Sequence, residues 1–388
     1  MPSDLINYAL PAIGKQERAE MKEVLNSTNL SRGPKCREFE AGLCELCEVN
    51  YAVAVSSGSA ALHLACLAAG VSAGDRVVLP AVCFASAASA VVHCGGRPEL
   101  MDINAGNYAM APDKLEQCLA ASAKPPKMIM PVSIGGYQYD RQLLYEIAEH
   151  YQVPVIADMS HALGSYDRDG NGKERPVTDC RYEKATIVSF QALKNITTAE
   201  GGAVLTNDAD FAETVRTLRN HGMEPAGIPD EPWRYDISEP GYNYHLSDVQ
   251  CALGIGQLRR FSELQHCREE IAQLYNREFE NMKGIISPPA SGNCNNSRHL
   301  YIIRVAQRKL LYEKLREAGY KTQVHYVPLH YFSFMKKYGL VDHEYPMAEN
   351  YYQTALSIPL FPDLTRRQAI EIAAVVKGHI QNHPLEYA

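Results

Sequence analysis

Short apolar runs alternate with longer amphipathic segments through the first two thirds of the chain. The runs are rich in β-branched residues and are bounded by Gly, Pro or Asp, which is typical of buried strands. Seven strands are predicted, at residues 52–55, 76–79, 97–100, 128–131, 153–157, 185–188 and 203–206. Helical spacing of apolar positions predicts helices that include residues 15–26, 59–69, 84–93 and 143–150. The alternation predicts an α/β fold in which a large, mostly parallel sheet of seven strands is covered by helices.

The pattern changes after Asn207. Helical segments are predicted at 209–219, from Ser247 to about Met282, and at 365–381, and the run HLYIIRV predicts a further strand. These elements are typical of a smaller α+β unit. We therefore expect a large α/β domain over residues 1–245 and a small C-terminal α+β domain over residues 246–388.

Composition and charge narrow the class of protein. Hydrophobic residues make up 46% of the 388 residues and charged residues 21%, as in ordinary globular chains. The net charge of -7, without a basic stripe, argues against nucleic acid as a partner. No apolar run approaches the roughly 18 residues of a membrane span, and the N-terminus lacks the pattern of a signal peptide. We expect a cytoplasmic protein with reduced cysteines and no membrane partner.

Two motifs imitate metal sites. Cys44 and Cys47 form a CxxC pair, but helical spacing runs through them, so we predict packing in a helix. The segment DRDGNGKE begins like a calcium loop, yet its twelfth position is Thr178 instead of Glu. We predict a β-hairpin turn there and no metal site in the chain.

Three other segments could carry chemistry. VSSGSAALHL joins a strand to a helix through Gly58 and Ser59, so it is either a phosphate site at a helix N-terminus or a plain capped turn. Asp158 ends a strongly apolar strand, where it could bind a ligand or cap the next turn. Lys194 lies in a compact loop between two apolar strands. A lysine there is either a Schiff-base nucleophile with a lowered pKa or a surface side chain.

The order of these segments carries a resemblance. Eight segments follow one another along nearly the whole chain: SGSAALHLA, DMSHALG, SFQALKN with TTAEGGAV, RNHG, GYNYHLSDVQCALGIGQL, HLYIIRV, TQVHYVPLH and AENYYQTALSIPLFPDL. In this order they resemble the DegT/DnrJ/EryC1/StrS family of sugar aminotransferases. The resemblance implies a pyridoxal-phosphate enzyme with the type I, aspartate-aminotransferase fold.

The resemblance also implies roles for individual residues. Lys194 would form the Schiff base with pyridoxal phosphate, and Asp158 would pair with the pyridinium nitrogen. His161 would lie near the hydroxyl of the cofactor, and Phe84 would stack on its ring. The phosphate would be bound by Gly58, Ser59, Ala60, Ser189 and, from the neighbouring subunit of a homodimer with composite active sites, Asn243.

The resemblance implies the substrate less specifically than it implies the cofactor. The resemblance indicates transfer of an amino group, expected to come from L-glutamate, to a nucleotide-linked ketosugar. Its candidate contacts are Tyr8, Leu30, Ser31, Arg32, Gly33, His325 and Tyr326. The loop QVHYVPLHYFSF is most similar to the branch that aminates UDP-4-keto-6-deoxy-N-acetylhexosamines on the way to pseudaminic acid. Ketosugars linked to dTDP or GDP, aminated at C3 or C4, remain alternatives.

Departures from the family pattern leave other classes open. Ser59 stands where the family usually has Thr, Gln191 where it often has His, and PVSIGGYQYD replaces the more usual PVHLYG. Because Lys194 is retained, transamination is favoured over the dehydration run by relatives that have lost this lysine. A regulatory protein that keeps the fold without turnover remains an alternative, as does a cysteine desulfurase or lyase of the same fold, which would need a mobile reactive-cysteine loop.

Overall fold

The computed structural model describes residues 5–225, 227–228, 230–231, 233–287, 294–339 and 344–384. The strands are β1 Tyr51–Val55, β2 Arg76–Pro80, β3 Arg97–Met101, β4 Met128–Ile129, β5 Ile156–Asp158, β6 Tyr166–Arg168, β7 Glu174–Pro176, β8 Ala185–Ser189, β9 Gly202–Thr206, β10 Met223–Pro225, β11 Tyr235–Ile237, β12 Ile285–Ile286, β13 Tyr301–Val305 and β14 Ala355–Ile358. The α-helices are α1 Lys15–Leu25, α2 Pro34–Cys47, α3 Gly58–Ala68, α4 Ser86–His93, α5 Pro112–Ala121, α6 Arg141–His150, α7 Ala209–Arg219, α8 Asp248–Arg259, α9 Phe261–Phe279, α10 Arg308–Glu317, α11 Pro346–Thr354 and α12 Arg366–Asn382. Short 3-10 helices lie at Ile134–Gly136, Leu329–Tyr331 and Ser333–Tyr338.

The large sheet has the strand order β3-β2-β4-β5-β8-β9-β1. Two parallel bridges, Ile129 with Val155 and Val132 with Asp158, join β4 to β5 and so connect its two halves. All pairs are parallel except those of β9, which is antiparallel to both β8 and β1. The predicted mostly parallel sheet of seven strands is confirmed. The exception arises because a loop, and no helix, connects β8 to β9, so the chain turns straight back.

Helices cover both faces of this sheet. In β1, Val53 and Val55 belong to one apolar core, whereas Ala52 and Ala54 belong to the other. Successive side chains of a strand point to opposite faces, so one strand supplies both cores. Helices α3, α4 and α7 contribute to the first core, and α2, α5 and α6 to the second. This double covering leaves the ends of the strands as the places where a ligand can enter.

The helical run predicted from Ser247 to about Met282 is wrong as a single helix. It is broken at Arg260 (φ -105°, ψ 9°) into α8 and α9. Helix α8 packs against α1 so closely that a Cβ on Gly256 would lie 2.7 Å from the Cα of Glu17. Helix α9 turns away and joins α10 and α12 over the sheet β12-β13-β14, around a third core. The domain division near residue 245 stays a prediction.

Smaller predictions are also settled by the structure. The DRDGNGKE segment forms the antiparallel hairpin of β6 and β7, as predicted. Cys47 is buried in helix α2 beside the half-buried Cys44, which confirms helix packing for the CxxC pair. Within the described ranges, none of the helices is long and apolar enough to cross a membrane.

Candidate active site

A cavity of about 600 Å³ opens where several strands of the large sheet end. Its walls include Phe84 beyond β2, Asp158 at the end of β5 and Ser189 at the end of β8. A segment from the C-terminal part of the chain, residues 323–327, forms the opposite wall. The carboxyl ends of parallel strands converge at this edge, which is why residues far apart in the sequence meet here.

Lys194 enters the cavity from the loop that connects β8 to β9. The loop is held closed by main-chain bonds, from Lys194 to Gln191 at 2.8 Å and from Thr198 to Phe190 at 3.0 Å. Burial lowers the pKa of Lys194 to about 8, and the charge of Asp158 opposes that shift. A surface lysine would keep its ordinary pKa, so the structure favours the nucleophile among the two interpretations of this residue.

Asp158 caps the turn after β5 and also lines the cavity. One carboxylate oxygen accepts the main-chain N–H of Ser160 at 3.0 Å, which fixes the turn after β5. The side chain is buried and lines the cavity with Lys194. The two alternatives raised by the sequence are therefore compatible, since one oxygen caps the turn while the carboxylate faces the ligand space.

The start of helix α3 forms a cradle with Ser189. The amides of Gly58 and Ser59 have no acceptor in the described protein, whereas the Ala60 amide is already bonded to Oγ of Ser57 at 3.0 Å. A Cβ on Gly58 would lie 2.9 Å from the Cβ of Ser189, so only glycine fits between helix and strand. Free amides at a helix N-terminus beside serine hydroxyls suit a phosphate group. Ala60 does not line the cavity, and its amide is not available for this purpose.

His161 and Tyr326 form a bonded pair across the cavity. Nε2 of His161 lies 3.0 Å from Oη of Tyr326, and Nδ1 accepts the main-chain N–H of Gly135 at 3.0 Å. The ring of Phe84, whose side chain is 56% exposed, lies 5.5 Å from that of Tyr326. An exposed aromatic ring at a cavity mouth offers a face to a planar ligand.

Tyr8 and His325 complete this wall. Their rings meet edge to face at 5.2 Å, and Nδ1 of His325 lies 2.8 Å from Oγ of Ser357. Burial, with a contribution from the charge of Lys194, lowers the pKa of His325 to about 3. The same causes, with His325 added, hold the pKa of His161 well below its usual value. Both rings are therefore neutral at physiological pH.

The sequence patterns did not identify two buried residues that contact residues of the cavity. His299 is buried at the start of β13 and its ring lies 4.4 Å from that of His161. Arg268 is fully buried in α9 and donates to the main-chain oxygens of Lys194 (3.4 Å) and Leu360 (3.2 Å). His299 could have been noticed in the sequence, because it is the polar residue that opens the apolar run HLYIIRV. Arg268 gave none, because an arginine in a charged helix resembles a surface residue.

Other predicted residues lie outside the cavity of their own chain. Ser31 pairs with Ser247, Arg32 donates to Asn220 at 3.3 Å, and Asn220 pairs with Asn243. We call the group formed by residues 30–33, Asn220 and Asn243 the outer patch. Leu30, Ser31, Arg32 and Asn243 are exposed, and Arg32 and Gly33 border a separate depression. Within one chain, the outer patch and Lys194 do not share a cavity.

Comparison with known proteins gives consistent matches over nearly the full length. A sequence profile of the DegT/DnrJ/EryC1/StrS aminotransferase family matches residues 11–377. The spore coat polysaccharide biosynthesis protein SpsC of Bacillus subtilis is 34% identical, over 96% of this chain and 97% of that protein. UDP-4-amino-4,6-dideoxy-N-acetyl-beta-L-altrosamine transaminase of Campylobacter jejuni is 35% identical, over 94% and 95%. The solved structure of Helicobacter pylori PseC, an aminotransferase involved in the biosynthesis of pseudoaminic acid, superposes with a TM-score of 0.88 at 27% identity, covering 98% of this chain and 100% of that one.

Proposed function

We propose, since this chain belongs to the DegT/DnrJ/EryC1/StrS aminotransferase family, that it transfers an amino group from L-glutamate to a nucleotide-linked 4-keto-6-deoxy sugar. The family consists of sugar aminotransferases that depend on pyridoxal phosphate, and this chain is one of them, with the type I fold. We propose the identity of the amino donor, the nucleotide and the sugar, the dimer, and the role of each residue.

The residues of the cavity fit pyridoxal phosphate. The cradle of Gly58, Ser59 and Ser189 suits the phosphate, because a Cβ at Gly58 would fill it and its amides lack protein acceptors. Asp158 supplies a buried negative charge for the pyridinium nitrogen, and Lys194 supplies an amine for the aldehyde. When bound, pyridoxal phosphate supplies an electron sink for charge that develops at the carbon bearing the amine.

The chain's own groups supply the remaining chemistry. With its lowered pKa, Lys194 has a substantial fraction of neutral amine near physiological pH, so it can attack a carbonyl carbon and carry a proton. Asp158 holds a proton on a ring nitrogen by charge pairing in a site of low dielectric constant. Phe84 packs on a flat ring at the mouth of the cavity. The placement of the Lys194 amine in one cavity with the buried carboxylate of Asp158 is the observation that carries the proposal.

The proposed sugar is supported by the segment of residues 323–327 and by the comparisons. His325 and Tyr326 of this segment line the cavity, as contacts of the substrate must. Similarity to the Campylobacter jejuni transaminase and to PseC supports a UDP-4-keto-6-deoxy-N-acetylhexosamine as acceptor, with a product on the pseudaminic acid route. Ketosugars linked to dTDP or GDP are the second candidates.

A homodimer would give the outer patch a function. Asn243 and residues 30–33 do not line the cavity of their own chain but are adjacent to one another. We propose that this patch borders the cavity of a second subunit, where Asn243 reaches the cofactor phosphate and residues 30–33, with Tyr8 of the cavity wall, contact the sugar nucleotide.

The experiment that tests the function is a half-reaction. Purified protein is loaded with pyridoxal phosphate and then mixed with glutamate, alanine or aspartate. Loss of the visible absorption band with glutamate, together with formation of 2-oxoglutarate, is the expected result. A cofactor-loaded protein that consumes no amino donor would support the regulatory alternative instead.

A further inference from the structure

A glycine turn after β4 places one amide against His161. The main-chain N–H of Gly135 lies 3.0 Å from Nδ1 of that ring. Gly135 (φ 63°) and Gly136 (φ 88°) both lie in the left-handed region. A Cβ on Gly135 would lie 2.8 Å from the Tyr137 ring, and one on Gly136 would lie 2.9 Å from the main-chain oxygen of His161. Both glycines are therefore needed to bring this amide to the imidazole.

The amide determines which ring nitrogen carries the proton. A main-chain N–H can only donate, so Nδ1 of His161 must present a lone pair. The single proton of the neutral ring is then on Nε2. A proton on Nδ1 would set two buried donors against each other. The groups facing the ring, Lys194, His325 and His299, add no negative charge that would favour the cation.

This assignment fixes the direction of the bond to Tyr326. Nε2 lies 3.0 Å from Oη, and because Nε2 carries the proton, it donates and Oη accepts. The hydroxyl therefore keeps its own proton. Among the residues that the structure describes, Oη has no other protein partner. Because Tyr326 lines the cavity with Lys194, this proton is available to an acceptor on the molecule that fills the cavity.

We infer that Tyr326 donates a hydrogen bond to an oxygen of the bound ligand, and that Gly135 and His161 are positioning residues that set the direction of this donation. The inference rests on the proposed function in that it requires a ligand with acceptor oxygens. Two sources share this chemistry: the phenolic oxygen of the cofactor, and a carbonyl or hydroxyl oxygen of the sugar. The glycine pair lies in the segment PVSIGGYQYD.

The tautomer can be measured without any ligand. The full chain is labelled with ¹⁵N-histidine, and the signals of His161 are assigned by their loss in His161→Gln. The expected spectrum shows an unprotonated Nδ1 and a protonated Nε2, unchanged across the neutral pH range. A proton on Nδ1, or a ring that takes up a second proton in that range, would overturn the inference.

The donation is tested with Tyr326→Phe. Loss of one neutral hydrogen bond should weaken the affected step by about five- to tenfold. If the acceptor is the cofactor oxygen, the pH titration of the visible band shifts; if it is the sugar oxygen, KM for the sugar rises while the band is unchanged. Tyr331→Phe, at a side chain 48% exposed outside the cavity, is the matched control and should change neither. The inference is overturned if Tyr326→Phe also changes neither.

The positioning role is tested by combining variants. The glutamine of His161→Gln retains both a donor and an acceptor. This variant should therefore keep most of the contribution that Tyr326 makes to the affected step. His161→Phe should reproduce the loss seen in Tyr326→Phe, and the double variant should lose no more than either single one. Additive losses would show that the two residues act independently. A chain that binds neither cofactor nor sugar refutes the proposed function and this donation with it, whereas a working transaminase indifferent to Tyr326→Phe refutes the donation alone.

Discussion

The charge of Asp158 opposes the effect that burial has on the pKa of Lys194. Burial lowers the pKa of Lys194 to about 8, and the negative charge of Asp158 prevents a larger fall. The result is an amine that is partly neutral near physiological pH, while a carboxylate is held in the same cavity. A buried lysine amine and a buried carboxylate therefore line one cavity.

The pH dependence of cofactor capture follows from this balance. Because only the neutral amine attacks an aldehyde, covalent capture of added pyridoxal phosphate should speed up as the pH rises, with a midpoint of about 8. The growth of the visible band, followed in the cofactor-free chain at a series of pH values, measures this rate. A midpoint near 10.5, the ordinary value for lysine, would show that Lys194 is not buried as described.

Replacing the carboxylate of Asp158 should separate its effect on the pKa of Lys194 from its effect on turnover. In Asp158→Asn the pKa of Lys194 should fall further, because the charge that raises it is gone. The capture midpoint should then move below about 8, while turnover drops by about 10²- to 10³-fold through loss of electrostatic stabilisation. Asp113→Asn, at an exposed position in α5, serves as the control. An unmoved midpoint in Asp158→Asn would contradict the coupling between the two residues.

The cradle at α3 should not tolerate a side chain. In Gly58→Ala the new Cβ would meet Ser189 at 2.9 Å, so helix and strand must separate. We expect the Kd for pyridoxal phosphate to rise by about 10- to 100-fold, as for about 1 to 3 kcal/mol of lost binding. Gly378→Ala in helix α12 is the matched control, since a Cβ added there would meet no atom within 4 Å. Equal affinity in the two variants would place the phosphate elsewhere.

Composite sites predict complementation between two variants that are defective in different residues of the site. Lys194→Ala should abolish turnover without changing Tm, and Asn243→Ala should weaken cofactor binding. If each site takes Lys194 from one subunit and Asn243 from the other, one site of a mixed dimer contains both wild-type residues. Unfolding the two variants together and refolding them should therefore recover about a quarter of wild-type activity. Absence of recovery, with mixed dimers demonstrated by mass spectrometry, would argue that each subunit is complete on its own.

Much of the architecture could be predicted because the sheet is buried on both faces. Its strands appear as apolar runs that need no alternation, and all seven were located to within a few residues. The reversed direction of β9 was not predicted, because direction depends on the length of the connecting loop. The break at Arg260 was not predicted either. A single residue with non-helical dihedral angles leaves the hydrophobic periodicity on both sides intact.

For the site, strand ends were the informative positions. Asp158 stands out as a charged residue at the end of an apolar run, and Lys194 as a charged residue in the short loop between two such runs. His299 had a weaker signal, as the polar residue that opens HLYIIRV, and Arg268 and Gly135 had none. Their importance comes from contacts with residues far away in the chain, such as Gly135 with His161, and a local pattern cannot show these. The outer patch does not line the cavity of its own chain, and its proposed function depends on a second copy.

We propose above all that this protein aminates a UDP-linked ketosugar and that Lys194 holds its pyridoxal phosphate. The most direct measurement mixes the cofactor-loaded protein with glutamate and one nucleotide sugar at a time, UDP-4-keto-6-deoxy-N-acetylhexosamine or its dTDP-linked or GDP-linked counterpart, and identifies the products by mass spectrometry. We predict a UDP-linked 4-amino sugar from the wild-type protein and none from Lys194→Ala. Formation of an amino sugar only from a dTDP- or GDP-linked substrate would contradict the substrate assignment, and the absence of amino sugar from all three would contradict the account.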